Sequence, residues 1–303
     1  MTLNASGPIS LAGTTAGQSI QIENGGNGTT LISLNDAAVR SLAGVPSGAI
    51  TMPTDFYGKS NRISVAATIS ANTSNYTVNT AKAPGYLTGK TDFTLTINAG
   101  VFISSANTGS YAMTVDTSWD VGDTVAIINN GTIIGRGGNG GPGGSNYGGA
   151  GSPGGSAGPA LLVQRALTLT NGSGRISGGG GGGGGGNAIV WNSPSGKGFF
   201  AIPSGGGGGG GGIGNSSGGA GGFADFGASG SAGGGGSLTG AGGGGAAYPA
   251  GGGGQNPGGP GGSFGSSGSA ATSGAAGAGG ACIVGNSNIT YSGPTGNRNG
   301  SIT

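Results

Sequence analysis

Histidine is absent from the 303 residues, and cysteine occurs once, at Cys282. The chain can therefore build neither an internal disulfide framework nor a His/Cys metal cluster, and no cofactor is expected. Charge is almost as scarce: 6% of residues are ionic and the formal net charge is +2. That excludes the electrostatic footprint of a nucleic-acid or anionic-membrane binder. No apolar run approaches the ~18 residues that a membrane span requires, so membrane insertion is not expected. The opening MTLNASGPIS has neither the basic start nor the apolar core of a secretory signal. These absences predict a soluble protein made in a cytoplasm, long enough for about two or three small domains.

Glycine is what the chain has in excess, 83 of 303 residues, without the strict third-residue period of collagen. It is concentrated between Gly137 and about Gly280, with uninterrupted runs at Gly178–Gly186 and Gly205–Gly212. Glycine this dense supports neither a stable helix nor an ordinary sheet, because each residue loses much backbone freedom and adds no side chain to a core. One alternative is a disordered linker. The other is a bundle of polyproline-II-type helices, whose unpaired N–H and C=O groups must bond to neighbouring helices.

The interruptions favour the bundle. They divide the region into 137–144, 148–158, 174–187, 205–212, 218–222, 229–236, 240–245, 251–254, 258–262 and 268–280. If each segment reverses the last, one end collects 145–147, 188–204, 223–228, 246–250 and 263–267. Those connections hold Tyr147, Trp191, Phe199, Phe200, Phe223, Phe226, Tyr248 and Phe264. The connections assigned to the other end (159–173, 213–217, 237–239 and 255–257) hold no aromatic residue. A disordered linker has no reason to sort its rings in this way, and would normally carry more charge or more Ser and Gln.

Ahead of the glycine, residues 1–60 alternate at period two in Ile9–Leu11, Ser19–Ile22 and Leu31–Leu34, between Gly/Asn/Thr turns. A short helix is predicted at 35–43, with Asn35 or Asp36 as N-cap and Gly44 as C-cap. Apolar residues are too few for this section to be expected to bury a core alone. Residues 61–136 read as an all-β module, a small sandwich or a solenoid-like stack, with strands such as Phe93–Ile97, Val101–Ile103, Tyr111–Val115 and Thr124–Ile128. Its last strand, Gly131–Arg136, recurs weakly at Asn171–Gly178. Both copies place a strand and an arginine before glycine, which predicts two glycine segments launched side by side from one β platform. Ala160–Val163 and Ala166–Thr170 would belong to that platform, and Cys282–Val284 would return the chain to it.

Two resemblances accompany this reading. "ISLAGTTAGQSI", "ISLNDAAVRSLAGVPSGAI" and "DFYGKS" resemble segments of bacteriophage tail proteins near the mount of a receptor-binding tip. Over residues 131–285 the layout of glycine segments with loops at one end resembles the tail-fibre tip adhesins of T-even-like bacteriophages. That family implies a polyglycine-II sandwich whose distal loops touch an outer-membrane protein or surface glycan of the host. The front of the chain departs from it, since those adhesins carry a different fibre-docking domain.

The predicted architecture is mostly β and irregular: small all-β N-terminal modules followed by a sandwich of about ten polyglycine-II helices. The domains are a tail-docking segment at 1–60, the β module at 61–136, the sandwich at 137–285 and a C-terminal tail at 286–303. The expected function is receptor binding at the virion tail tip, without enzymatic chemistry, with residues 1–60 attaching to other phage tail proteins. Either a homotrimer or a single copy on a fibre is compatible. The expected contact residues are Tyr147, Trp191, Lys197, Phe199, Phe200, Phe223, Phe226, Tyr248 and Phe264, because rigid aromatic side chains dominate binding hot spots; capping of the bundle end is the other use of the rings.

Other chemistry is weakly supported. Asp116, Asp120 and Asp123 lack a calcium-loop pattern and read as turn residues. Asp225 alone cannot supply the paired carboxylates of a glycosidase. Cys282, beside Ile283 and Val284, reads as a small buried hydrophobe. An ice-binding protein would want a regular Thr/Ser face and a Gly-x-x period, and a passive fibre protein would have no need of aromatics at one end.

Overall fold

A computed structural model describes residues 2–145, 149–193, 200–204, 207–223, 229–247 and 256–303, with only the backbone at 189–193 and 200–204. It divides into two compact units. The first comprises Met1–Ala66, Thr80–Thr94 and Trp119–Thr124, and the second Ala67–Asn79, Leu95–Ser118 and Val125–Thr303.

In the first unit Ser19 does not continue a strand. Its Oγ accepts from Ile22 N at 3.3 Å and caps α1, Ile20–Glu23. Helix α2, Ala37–Ala43, forms where predicted, entered at Asp36 and closed by Gly44 at φ 75°. Leu31–Leu34 forms no strand. Contrary to the expectation of no independent core, Leu3, Ile20, Val39, Leu42 and Phe56 are buried in one cluster. Helical spacing explains the difference, since it brings Val39 and Leu42 onto one face. Farther along the same unit, Trp119 is buried with its ring 5.1 Å from Phe93 and edge-on to Tyr86 at 6.0 Å.

Arg62 Nη2 donates to Asp92 Oδ1 at 2.6 Å, and Thr124 Oγ1 donates to the same oxygen. The Arg62 hydrogen bond is the main reason that the Asp92 carboxyl is held below its usual range. A lowered folded-state pKa contributes stability that is complete above the unfolded value, near 3.9, and lost as pH falls through the folded value. Thermal unfolding between about pH 6 and pH 2.5 is expected to show a steeper acid loss for the native chain than for Asp92→Asn. Parallel curves would remove this ion pair from the acid response.

The β region is built from strands that visit three sheets in turn. They are β1 (Ile63–Ile69), β2 (Thr73–Ser74) and β3 (Tyr76–Val78), then β4 (Thr91–Ile97), β5 (Phe102–Ser104) and β6 (Met113–Val115), then β7 (Thr124–Asn129), β8 (Thr132–Ile134) and β9 (Leu161–Val163). They continue with β10 (Leu167–Thr170) and β11 (Arg175–Ser177). After a hairpin, β12 (Ile189–Ser193) and β13 (Phe200–Ser204), come β14 (Ile283–Val284), β15 (Ile289–Tyr291) and β16 (Asn297–Asn299). The sheet orders are β1-β4-β7-β10-β15, β16-β11-β8-β5-β2 and β14-β9-β6-β3.

Pairings along β7, β10 and β15, along the second sheet and along the third are parallel. Returning to the same sheet every third strand with parallel pairing is a solenoid stack, and it removes the sandwich alternative. The turns at Asn98–Gly100, Asn107–Gly109 and Asn129–Gly131, which the sequence marks as Asn-x-Gly, join strands of different sheets and so turn corners and do not close hairpins. Residues 286–303, read as a tail, add the last strands, β15 and β16.

Like residues stack in register. Ile103, Ile133 and Ile176 form one buried aliphatic row, and Val78, Val115 and Val163 another. At one corner the buried Asn129 Nδ2 donates to Asn171 Oδ1 at 2.7 Å, and Asn171 Nδ2 donates to Thr295 O at 2.9 Å. Cys282 is buried as expected. Its Sγ donates to Ile176 O, and burial pushes the thiol up to about 11.

The recurrence at 131–136 and 171–178 is realised as a parallel pair: Thr132, Ile133 and Ile134 of β8 face Arg175, Ile176 and Ser177 of β11. Between β8 and β9, and between β11 and β14, the chain leaves the sheets as glycine-rich runs. The run Gly178–Gly186 is surrounded by others, with a period of three residues. Gly179, Gly182 and Gly185 donate to Gly158, Gly155 and Ser152; Gly180, Gly183 and Gly186 to Ile213, Gly210 and Gly207; Gly181 and Gly184 to Ser266 and Ser269. Its carbonyls accept from Gly138, Gly141 and Gly144, from Gly265, Gly262 and Gly259, and from Gly280, Gly277 and Gly274. Every backbone polar group of this run is thus paired, as burial without side chains demands.

The registers also give directions. Partner numbers rise along 138–144 and 266–269 and fall along 152–158, 207–213, 259–265 and 274–280. Residues 268–280 are not one segment, as the sequence suggested, because Ala271 N donates to Gly274 O and reverses the chain there. The expected segment 251–254 lies outside the described residues.

Candidate functional site

The reversals place the chain connections at two ends of the glycine region, one beyond Gly186 and one beside β8 and β11. At the Gly186 end Ala188 N donates to Gly149 O, and Gly151 N donates to Ser273 Oγ at 2.9 Å and to Asn187 Oδ1 at 3.3 Å. Thr272 Oγ1 donates to Asn256 Oδ1 at 3.0 Å, and Ser231 N and Ala246 N exchange bonds with Ala246 O and Ser231 Oγ. Short Ser, Thr and Asn side chains therefore close the run ends, doing for backbone donors what an N-cap does for a helix.

Two elements leave this end. Phe223 follows the run 218–222. Its N–H donates to Ser145 Oγ at 3.0 Å and the residue is 59% exposed. The hairpin of β12 and β13 follows Asn187, and its antiparallel register sets Trp191 opposite Ile202 and Ser193 opposite Phe200. Tyr147, Lys197, Phe199, Phe226 and Tyr248 lie outside the described residues.

Phe264 is placed differently from the expectation. Gly265 N donates to Gly178 O, and the Arg175 guanidinium lies 4.0 Å above the Phe264 ring. Both contacts belong to the end beside β11. The reason lies upstream: the connection 255–257, expected at the other end, lies at the Gly186 end, where Gly207 N and Thr272 Oγ1 donate to Asn256. Residues 259–265 therefore run back toward Gly178, and the connection 263–267 falls beside β11; the reversal at 271–274 then adds the segment that brings the chain back. The reversal at 271–274 carries no apolar mark, only Thr272 and Ser273.

Asp116 and Asp123 behave as turn residues. Asp116 Oδ1 accepts from Ser118 N and Oγ, while Asp123 accepts from Asp120 N, Thr91 N and Tyr86 Oη. Among the described residues no three His, Cys, Asp or Glu side chains group as metal ligands, and no helix is long and apolar enough to cross a membrane. Among the described residues, the Gly186 end offers the exposed Phe223 beside hydroxyl and amide groups, which suits non-covalent contact.

Comparison with known proteins bears on this arrangement. No curated protein sequence matches the chain. The crystal structure of the gp37–gp38 adhesin tip complex of the bacteriophage S16 long tail fibre contains a chain similar in fold, with a TM-score of 0.50 and 23% identity. The alignment covers 97% of this chain and 100% of that one, so most of residues 1–60 has a counterpart there despite the departure expected at the front. The model of the family described as phage tail fibre adhesin Gp38 matches residues 64–303. The chain belongs to the phage tail fibre adhesin Gp38 family.

Proposed function

We propose that this adhesin recognises a host surface receptor, an outer-membrane protein or surface glycan, through the loops at the Gly186 end of its glycine region, without an enzymatic step. The glycine region is a polyglycine-II bundle in this reading, supported by the three-residue hydrogen-bond period and the ring of neighbours around Gly178–Gly186. A scaffold whose central run pairs all of its polar groups through neighbouring backbone leaves the loops free to vary. Residues 1–60 attach the chain to other tail-fibre proteins; that the similar chain of S16 comes from a gp37–gp38 complex supports that assignment.

The observation that carries the proposal is the projection of Phe223 and of the β12–β13 hairpin from the same end of the runs. Exposed apolar surface on a soluble chain is a mark of an interaction site. The test is binding of the full chain to a panel of bacterial strains, repeated with residues 188–204 replaced by a short Gly-Ser turn. Selective binding that disappears in the shortened protein is expected. Equal binding by both proteins, with matched melting curves, would reject the hairpin as the contact.

A further inference from the structure

A second polar site lies away from these loops. Ala106, Asn107, Thr108, Arg136, Gly137 and Asn139 line a cleft of about 200 Å³. The Arg136 guanidinium has no hydrogen-bond or ion-pair partner among the described residues. The nearest source of a carboxylate within its unit is scarce too: Asp116 is the one acid among the described residues there, and its Oδ1 is held by Ser118.

The amides beside it are oriented by the backbone. Asn107 Oδ1 accepts from Gly109 N at 3.0 Å, and Asn139 Oδ1 accepts from Ser217 N at 3.0 Å. Each bond takes one of the oxygen's two acceptor positions and turns the oxygen toward the backbone, so the NH2 group, which has no partner among the described residues, is what each amide has fully free for a ligand. With the guanidinium and the Thr108 hydroxyl, the cleft is a set of donors with few acceptors. Such a set is complementary to an oxyanion carried on a hydroxyl-rich framework. One planar guanidinium matches a carboxylate, whereas a phosphate dianion wants more than one positive charge. The volume, at about 30 Å³ per water displaced, admits a carboxylate and one sugar ring.

We infer that the Arg136 cleft binds a carboxylate-bearing sugar, such as a uronic acid unit of a bacterial surface saccharide. The site is independent of the aromatic loops, and it gives the adhesin a low-affinity hold on the cell surface. Its binding weakens with salt, because the charge is solvent-accessible.

The test follows the side-chain Nε–H signal of Arg136 in the full 15N-labelled chain during titration with methyl glucuronide, methyl glucoside and sodium acetate. A saturable shift with the glucuronide, absent with the glucoside and at least about fivefold tighter than with acetate, is expected. Arg136→Lys keeps the charge without the fork and should bind more weakly, followed on the Asn107 and Asn139 side-chain amide signals; Arg136→Gln should not bind. No glucuronide shift at concentrations on the order of 10 mM would overturn the inference. So would binding that survives in a folded Arg136→Gln chain, or acetate binding as tightly as glucuronide, which marks an adventitious ion only. Trp191→Ala/Phe200→Ala protein should keep the glucuronide response, so failure of the loop assignment and failure of this site are separate results.

Discussion

Gly183→Ala is expected to cost on the order of 3 kcal/mol or more, a large part of the stability of a domain this size. Gly183 N donates to Gly210 O at 2.8 Å, and its carbonyl accepts from Gly141 N at 2.8 Å. A Cβ built there falls on Gly259 O and Pro260 O. Both obstacles are main-chain carbonyls, so no rotamer change relieves the clash. The run must move away from 259–265, and moving it stretches bonds to other neighbours. The matched control is Gly243→Ala, where no atom lies within 4 Å of the added carbon. It should stay within about 0.5 kcal/mol of the native chain. Thermal unfolding and protease resistance read both. A Gly183→Ala chain that melts with the native one would mean that the runs are not held at the spacing described.

The second large effect concerns binding. Trp191→Ala together with Phe200→Ala should lower adsorption to the host about a hundredfold or more, because truncating one aromatic hot spot commonly costs at least ~2 kcal/mol. The melting temperature should change little, since the hairpin pairs with itself through β12 and β13. Phe264→Ala supplies the contrast. Its ring lies under Arg175 at the other end of the runs, so its loss should affect stability and leave adsorption intact. Adsorption lost in Phe264→Ala but kept in the double variant would invert the assignment of the two ends.

The solenoid strands were legible because their side chains alternate against a buried interior. Thr91–Ile97 shows that alternation along its whole length, with Phe93, Leu95 and Ile97 buried. What alternation cannot specify is the partner, and a parallel stack and an antiparallel sandwich use the same pattern. The decision lay in connection geometry, which Asn-x-Gly corners do not spell out. In the first unit the pattern misled: Ser19–Ile22 alternates as a strand, yet a single hydroxyl cap turns it into helix α1. The segment ends of the glycine region were partly legible from Trp191 and Phe223, but the turn at Thr272 and Ser273 has no large side chain to mark it. Trp119 carries no local pattern for a related reason. Its role is packing against Phe93 and Tyr86, which come from elsewhere in the chain.

The three-residue period around Gly178–Gly186 acts as a reading frame. Each added residue rotates the following donors by about a third of a turn, toward the wrong neighbour. Insertions and deletions inside a run should therefore survive in multiples of three, while loop lengths at either end drift without constraint. A run added to the bundle must also bring its return, or the chain would fail to come back to β14. New loops at the Gly186 end would then be gained and lost in whole up-and-down pairs, a modular unit of recombination that leaves the solenoid unchanged.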